Sequence, residues 1–368
     1  MYKALDRWLI ASLRKRPRPI PENAWIIFCF CDHFEPMHHT SDPQEGCRRV
    51  RLWAEQFPIL ANRVAELFGE RLCWNFFYPI EQYCQDHLDL LRPLVEAGLA
   101  EIGIHLHHHD DTPEQLFRTL CEGRARLHAN GLLPLSPDGK PVYAFVHGNW
   151  ALNNTHPQRK NCGVDNEIEI LLKTGCFADL TMPAAPHPAQ VPLVNQLAAL
   201  PPGPRLAPFH RAIPIQAGHP LPSGHLLYIP GPLTLNWQWR KHHIFPRIEN
   251  ADLTPVNPPA LRRLHAWLRA SIGIDPIPEL FIVKLHTHGA YPDNANMLLH
   301  GTMLEFFDQL HQYILNKHPQ WTCRFFTARQ LANFIINQTN RRTPLFMTEN
   351  EHPIIFPPNQ KQNPAASS

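Results

Sequence analysis

No stretch of this 368-residue chain reaches the roughly 20 consecutive apolar residues that a membrane-spanning helix needs. The amino terminus lacks the apolar core and small-residue cleavage site of a secretory signal, because Trp8-Leu-Ile-Ala-Ser-Leu soon runs into charges. Charge is scarce too: 18% of residues are charged and the net charge is +2, so no general attraction to nucleic acid is expected and none is assigned as a partner. The one dense basic run, Arg14-Lys15-Arg16-Pro17-Arg18, reads as a solvated lead-in to the first strand, with a lipid- or polyanion-binding arm the lesser reading. Paired cysteine spacing is also missing. Nine cysteines, an odd number, are scattered through the chain, which points to reduced thiols and a cytoplasmic location. No internal repeat is visible.

What is abundant is hydrophobic residues at 44%, proline at 39 and histidine at 24. The first marks a globular chain able to bury a core. Residues 25–31, Trp-Ile-Ile-Phe-Cys-Phe-Cys, read as a buried strand whose alternate side chains face opposite ways, so Cys29 and Cys31 are expected in core packing. Helical spacing follows over 43–67, then strand 72–80, helix 88–98, strand 99–106, helix 113–131, strand 142–150, helix 166–174 and strand 176–183. Thirteen prolines between 183 and 232 break the pattern and predict an ordered but irregular excursion without ordinary helices or central strands. Regularity resumes with helix 259–272, strand 280–289, helix 299–315 and a strand, turn and helix over 322–335. Alternating strands and helices predict an α/β fold built on a parallel sheet or barrel, with chemistry at the carboxyl ends of the strands. The division read from the chain is a lead-in at 1–24, one domain at 25–349 with a proline-rich insertion at about 183–258, and a flexible tail at 350–368.

Histidines crowd "GIHLHHHDD", residues 103–111. Three apolar strands end in groups able to hold a divalent metal or move a proton: Asp32 and His33, then His105 and His109, then His286 with His288. Two neutral imidazoles and a carboxylate with one open position suit a hydrolytic Zn²⁺, and other first-row metals would also fit. His107 and His108 are read as the wall of such a site, and Asp110 and Asp111 as its surroundings. His38 and His39 are assigned to a surface loop. Asp179 is read as shaping its loop through hydrogen bonds to the backbone. Trp237 and Trp239 would point the same way on an extended segment and could stack on a sugar, with burial in the excursion the competing reading.

"EIGIHLHHH" resembles the E-I-G-x-H-x-x-x-H motif of the polysaccharide deacetylase (NodB-homology) family. "LLRPLVEAGLAEIGIH", "WNFFYPI", "GCFADLT", "FFTARQLANFI" and "FIVKLHTHG" are similar to further segments of that family, over roughly residues 25–335. The resemblance implies a distorted (β/α) barrel of about seven parallel strands and metal-dependent removal of an N-acetyl group from a carbohydrate. It implies His105 and His109 as metal ligands. The family's adjacent aspartates are replaced by "CDHFEP". Asp32 is favoured at the metal with His33 next to it and Glu35 as the remaining carboxylate base; the alternative makes Asp32 the base and His33 the ligand. "FVHGNW" stands where the family has an arginine, so His147 or Asn149 would take part of its role, with Trp150 beside them in substrate binding. His286 is the first choice for the catalytic acid and His288 the second. Two other readings stay open: a catalytically inactive barrel that binds carbohydrate or a protein partner, and a C–N hydrolase with another amide substrate. The oligomeric state is not legible.

Overall fold

The computed structural model describes residues 4–339. The tail assigned to 350–368 lies outside the described residues. In chain order the elements are α1 Leu5–Arg14, β1 Trp25–His33, α2 Pro43–Phe68, β2 Trp74–Pro79, α3 Gln85–Glu96, β3 Ala100–Leu106, α4 Pro113–Ala129, β4 Tyr143–His147, α5 Glu167–Lys173 and β5 Cys176–Asp179. There follow β6 Ala198–Leu200, α6 Ala207–His210, β7 Ile213–Pro214, β8 Leu226–Tyr228, β9 Thr234–Lys241, β10 Phe245–Glu249 and α7 Leu261–Arg269. The chain closes with β11 Leu280–Thr287, α8 Pro292–Leu299, α9 Thr302–Lys317, β12 Thr322–Phe325 and α10 Ala328–Gln338.

Three of the helices start at side-chain caps that the sequence supplies. Asp42 accepts from the Gln44 amide ahead of Pro43, and Thr112 with Gln115 and Thr327 with Gln330 form capping boxes at α4 and α10. Ten strands form one mostly parallel sheet in the order β11-β1-β2-β3-β4-β5-β8-β6-β7, with β12 also paired to β1. One edge of β1 is shared: β12 takes Trp25 to Phe28 and β2 takes Cys31 to His33. Asn75 fills the split, donating to Phe30 O at 2.8 Å and accepting from the Ala328 amide at 2.6 Å. At one end β6 pairs antiparallel with both β8 and β7, and among the described residues it is the one strand of this sheet that runs against the rest. No ladder joins β7 to β11 among the described residues. Across that gap the fully buried Lys284 of β11 donates to Leu180 O at 2.6 Å and Met182 O at 2.8 Å, beyond the end of β5.

Strand alternation divides the core. Phe28, Phe30, Phe145 and Val283 pack with Trp53 and Phe57 of α2 on the helix side. Ile27, Cys29, Cys31, Val146 and Ile282 pack on the other face with Leu331 and Phe334 of α10. The two cysteines are core residues, as their alternation implies. All nine cysteines carry free thiols.

Two expectations fail. The proline-rich excursion does contribute an inner strand: β8 pairs in parallel with β5 through Ala178↔Leu227 and Asp179↔Tyr228. Its residues 226–228 lie in a proline-free gap between Pro222 and Pro230, so every amide needed by the ladder is present. The basic lead-in is not a solvated arm either. Trp8 of α1 is fully buried against Ala185, Val194 and Leu233, Lys15 donates to Asn195 O, and Arg18 donates to Ile277 O at 2.9 Å and Leu280 O at 2.7 Å. Backbone carbonyls of the excursion and of the approach to β11 are what those cations satisfy. No described helix is long and apolar enough to cross a membrane.

Candidate active site

At the carboxyl ends of β1, β3 and β11 the alternation decides which side chains meet. Cys31 faces away from the helix layer, so His33 two residues on does the same. Asp32 therefore points the opposite way, into the helix layer. There its carboxylate accepts from Trp74 Nε1 at 3.0 Å and from the Gly289 amide at 2.5 Å. Burial pushes the Asp32 carboxyl up to about 7. A Cβ at residue 289 would stand 2.0 Å from Asp32 Oδ2 and 2.5 Å from the Trp53 ring, so only glycine lets the chain approach this closely. Asp32 is a buried anchor for the turn after β11, and its assignment as metal ligand or catalytic group is corrected.

The carboxylate that faces the histidines is Glu35. Its Oε1 lies 3.1 Å from His105 Nε2 and 3.2 Å from His107 Nε2, and its Oε2 accepts from the Tyr291 hydroxyl at 2.9 Å with His38 Nδ1 3.3 Å away. His105 Nδ1 is 3.1 Å from Val146 O, a partner that only accepts. That ring nitrogen therefore carries a proton, and the other, Nε2, is aimed at a carboxylate oxygen. Two acceptors in contact need a proton or a cation between them. His107 is held in the same manner, with Nδ1 2.7 Å from Glu81 Oε1. A carbonyl or carboxylate behind an imidazole is the arrangement that orients metal-binding histidines. Burial alone would raise the Glu35 carboxyl, but His105 and His107 outweigh it and hold it well below the usual carboxylate range. Burial lowers His107 in turn, and Glu35 and Glu81 lift it to about 9. Donor atoms of Glu35, His105 and His107 all lie within 4.8 Å of one another, so the residues fit a divalent metal held by two imidazoles and one carboxylate.

His109, the other ligand implied by the resemblance, is not part of this group. The strand ends at Leu106, and His109 is 75% exposed beside Asp110. His107, and not His109, stands with Glu35 and His105. Beyond this group lies a histidine-lined wall. His33, with both ring nitrogens buried and unpartnered, has His105 at 4.9 Å, Trp150 at 4.8 Å, His286 at 5.9 Å and His288 at 4.9 Å between ring centroids. Burial and neighbouring histidines push His33 and His286 well below their ordinary value and His288 to about 4. All three are neutral bases near pH 7. A cavity of about 500 Å³ opens beside them, lined by Trp150, His286, Thr287 and His288 and walled by Pro183, Pro186 and His187 of the excursion. Trp150 sits at φ +61, a left-handed backbone rare for so bulky a residue, which turns its indole over His33.

Other expectations separate. His147 follows Phe145 onto the helix side of the sheet and does not line the cavity. It belongs to a second buried group with His108, Cys162 and Glu167, where His108 Nε2 is 3.1 Å from Glu167 Oε1. The Asn149 amide donates to His147 Nδ1 at 3.1 Å, and Asn149 is likewise absent from the cavity lining. Trp237 lies beside Lys15, Asn195 and Arg269, and Trp239 is stacked between Arg247 and Arg262, each 4.2 Å from its ring. Neither tryptophan reaches the histidines. Asp179 does shape its loop, accepting from Thr181 Oγ1 at 2.6 Å. His38, assigned to a surface loop, is on a loop but stacks on Tyr291 at 4.0 Å beside Glu35. Glu81 and Tyr291 gave no sequence signal, because each acts from a turn outside the strand ends.

No family model matches the chain, and no curated protein does. Solved structures do match, among them the 4-alpha-glucanotransferase from Thermococcus litoralis, with 13% identity, 83% of this chain and 40% of that one covered, and a TM-score of 0.41. The chain spans less than half the length of that enzyme, and a likeness this distant carries no functional argument.

Proposed function

We propose that this protein is a metal-dependent hydrolase that removes the N-acetyl group from a carbohydrate, on a sheet curled into a distorted (β/α) barrel. The observation that carries the reading is His105 Nε2 facing Glu35, with His107 completing a two-imidazole, one-carboxylate set. The carbohydrate substrate rests on the resemblance of "EIGIHLHHH" and its flanking segments, with His107 in place of the motif's last histidine and Glu35 in place of an aspartate. The Lys284 tie from β11 to the end of β5 supports the curling.

Glu35, His105 and His107 would hold the cation, with Zn²⁺ suited to this donor set. When bound, such a cation polarises the scissile carbonyl and acidifies water. The chain's own groups do the rest. Neutral His288, lining the cavity, accepts a proton from the attacking water and returns it to the leaving amine, with His286 beside it as the alternative shuttle. Trp150 and the Pro183–Pro188 wall exclude solvent and present an apolar face to a sugar ring.

One observation favours a second reading. Asp32, where the resemblance would put a base or a ligand, is locked outside the cavity, which suits a barrel that binds a ligand without turning it over. Acetate release from N-acetylated sugars by the metal-loaded protein, abolished by a chelator and by His288→Ala, supports the hydrolase. Stoichiometric metal with no release from any amide supports the binding barrel.

A further inference from the structure

A second group of soft donors lies outside the cavity, where the first turns of α2 and α3 meet. Cys47, in the first turn of α2, and Cys84, the residue preceding α3, bring their sulfurs within 4.8 Å of each other and of a ring nitrogen of His87. Both thiols are half-buried, and His87 is fully buried.

The tautomer of His87 is fixed by its neighbours. The Tyr78 hydroxyl donates its single proton to Gln82 O at 3.1 Å and accepts from the Cys84 amide at 3.0 Å. Its remaining capacity toward His87 Nδ1, 3.1 Å away, is that of an acceptor, so Nδ1 carries the imidazole proton. His87 Nε2 is then a bare lone pair, buried and without a hydrogen-bond partner. An unpaired buried acceptor is a penalty unless something fills it. An imidazole whose far nitrogen donates to an oxygen while the near one is free is oriented as metal-binding histidines are.

The backbone leaves room there. A Cβ at Gly46 would stand 2.8 Å from His87 Nε2 and 2.5 Å from Met37 Sδ, so a side chain at 46 would fill the space in front of the lone pair. Glycine inside a helix is less stable than alanine by about 1 kcal/mol, so its place in the first turn of α2 answers to the space and not to the helix. The second buried histidine group does not share this pattern. There His147 Nδ1 accepts from the Asn149 amide, so its proton sits on Nε2 and blocks that nitrogen as a donor to metal.

We propose that Cys47, Cys84 and His87 form a binding site for a soft divalent cation of the Zn²⁺ class, with Gly46 keeping the space open and the Met37 thioether at its edge. Two thiolates and an imidazole are a zinc ligand set, and the missing fourth position at a half-exposed site falls to water or a further donor. The site would tie the start of α2 to the start of α3, next to the loop that carries Glu35 and His38.

Cobalt substitution of the reduced, full-length protein tests this, because thiolate coordination gives a sulfur-to-cobalt charge-transfer band that the Glu35, His105 and His107 group, without sulfur, cannot produce. The band is expected in the wild type and in His105→Ala, and is expected to vanish in Cys47→Ser, at a half-exposed position that should keep the fold. Gly46→Ala, whose Cβ would crowd His87 Nε2 and Met37 Sδ, should also abolish it although every ligand residue is still present. Survival of the band in Cys47→Ser with its loss in Cys162→Ser would overturn the proposal in favour of the buried group. So would its absence from the reduced wild type, or a Cys47–Cys84 disulfide that forms in place of the metal complex. Loss of cobalt from the nitrogen and oxygen site alone leaves the band untouched, so the two sites fail separately.

Discussion

Lys284→Met should unfold the protein far more easily than a surface substitution would. The ammonium is fully buried and makes two hydrogen bonds across the open side of the sheet, to Leu180 O and Met182 O. Methionine fills the same volume but donates nothing, so Leu180 O loses its partner where no water reaches it, while Met182 O keeps the Gly231 amide at 2.9 Å. The orphaned Leu180 O costs about 1–3 kcal/mol, and losing the charged donor from Met182 O adds about 1.5–3 kcal/mol. Relief from burying the ammonium, whose affinity for its proton is lowered by desolvation, offsets part of this. A net loss of about 3 kcal/mol is expected, read as a lower urea midpoint at unchanged slope. A midpoint equal to or above the wild type would refute the idea that Lys284 ties β11 to the end of β5.

Gly289→Ala should destabilise by about 1–3 kcal/mol or more through overpacking, because the added carbon meets Asp32 and Trp53, neither of which has room to give; thermal melting reads it. Arg263→Lys should fail to rescue the buried Glu249 pair, since one ammonium cannot replace the two contacts at 3.0 and 2.7 Å that the guanidinium makes, and its unfolding midpoint should fall close to that of Arg263→Ala. Burial raises the Asp179 carboxyl to about 7, so its contribution to stability is full below the unfolded value near 4 and is lost as pH rises through 7. Asp179→Asn keeps an acceptor for Thr181 and should remove that decline, worth about 4 kcal/mol, from the pH dependence of unfolding.

Most of the strands and helices were legible because their periodicities are strong, as over α2 and α4. The parts that were not legible depend on contacts distant in sequence. β8 is three residues long and becomes a strand by pairing with β5, and α1 is held by a carbonyl-rich surface nearly two hundred residues away. Within the site, His105 was readable from its strand. Asp32 was misread although the same alternation that separates Cys31 from Phe30 also turns Asp32 away from His33. Glu35 was named as the remaining carboxylate but not as a ligand, because the chain leaves β1 before reaching it. His107 and His109 differ in role because the strand stops at Leu106, and no pattern in four crowded histidines marks that end.

Metal content per chain, measured after removal of loose ions in a Cys47→Ser background, tests the assignment of the site most directly. The parent and His109→Ala should each retain one equivalent, and His107→Ala and Glu35→Gln should retain none. Loss of the metal in His109→Ala with retention in His107→Ala would contradict the assignment.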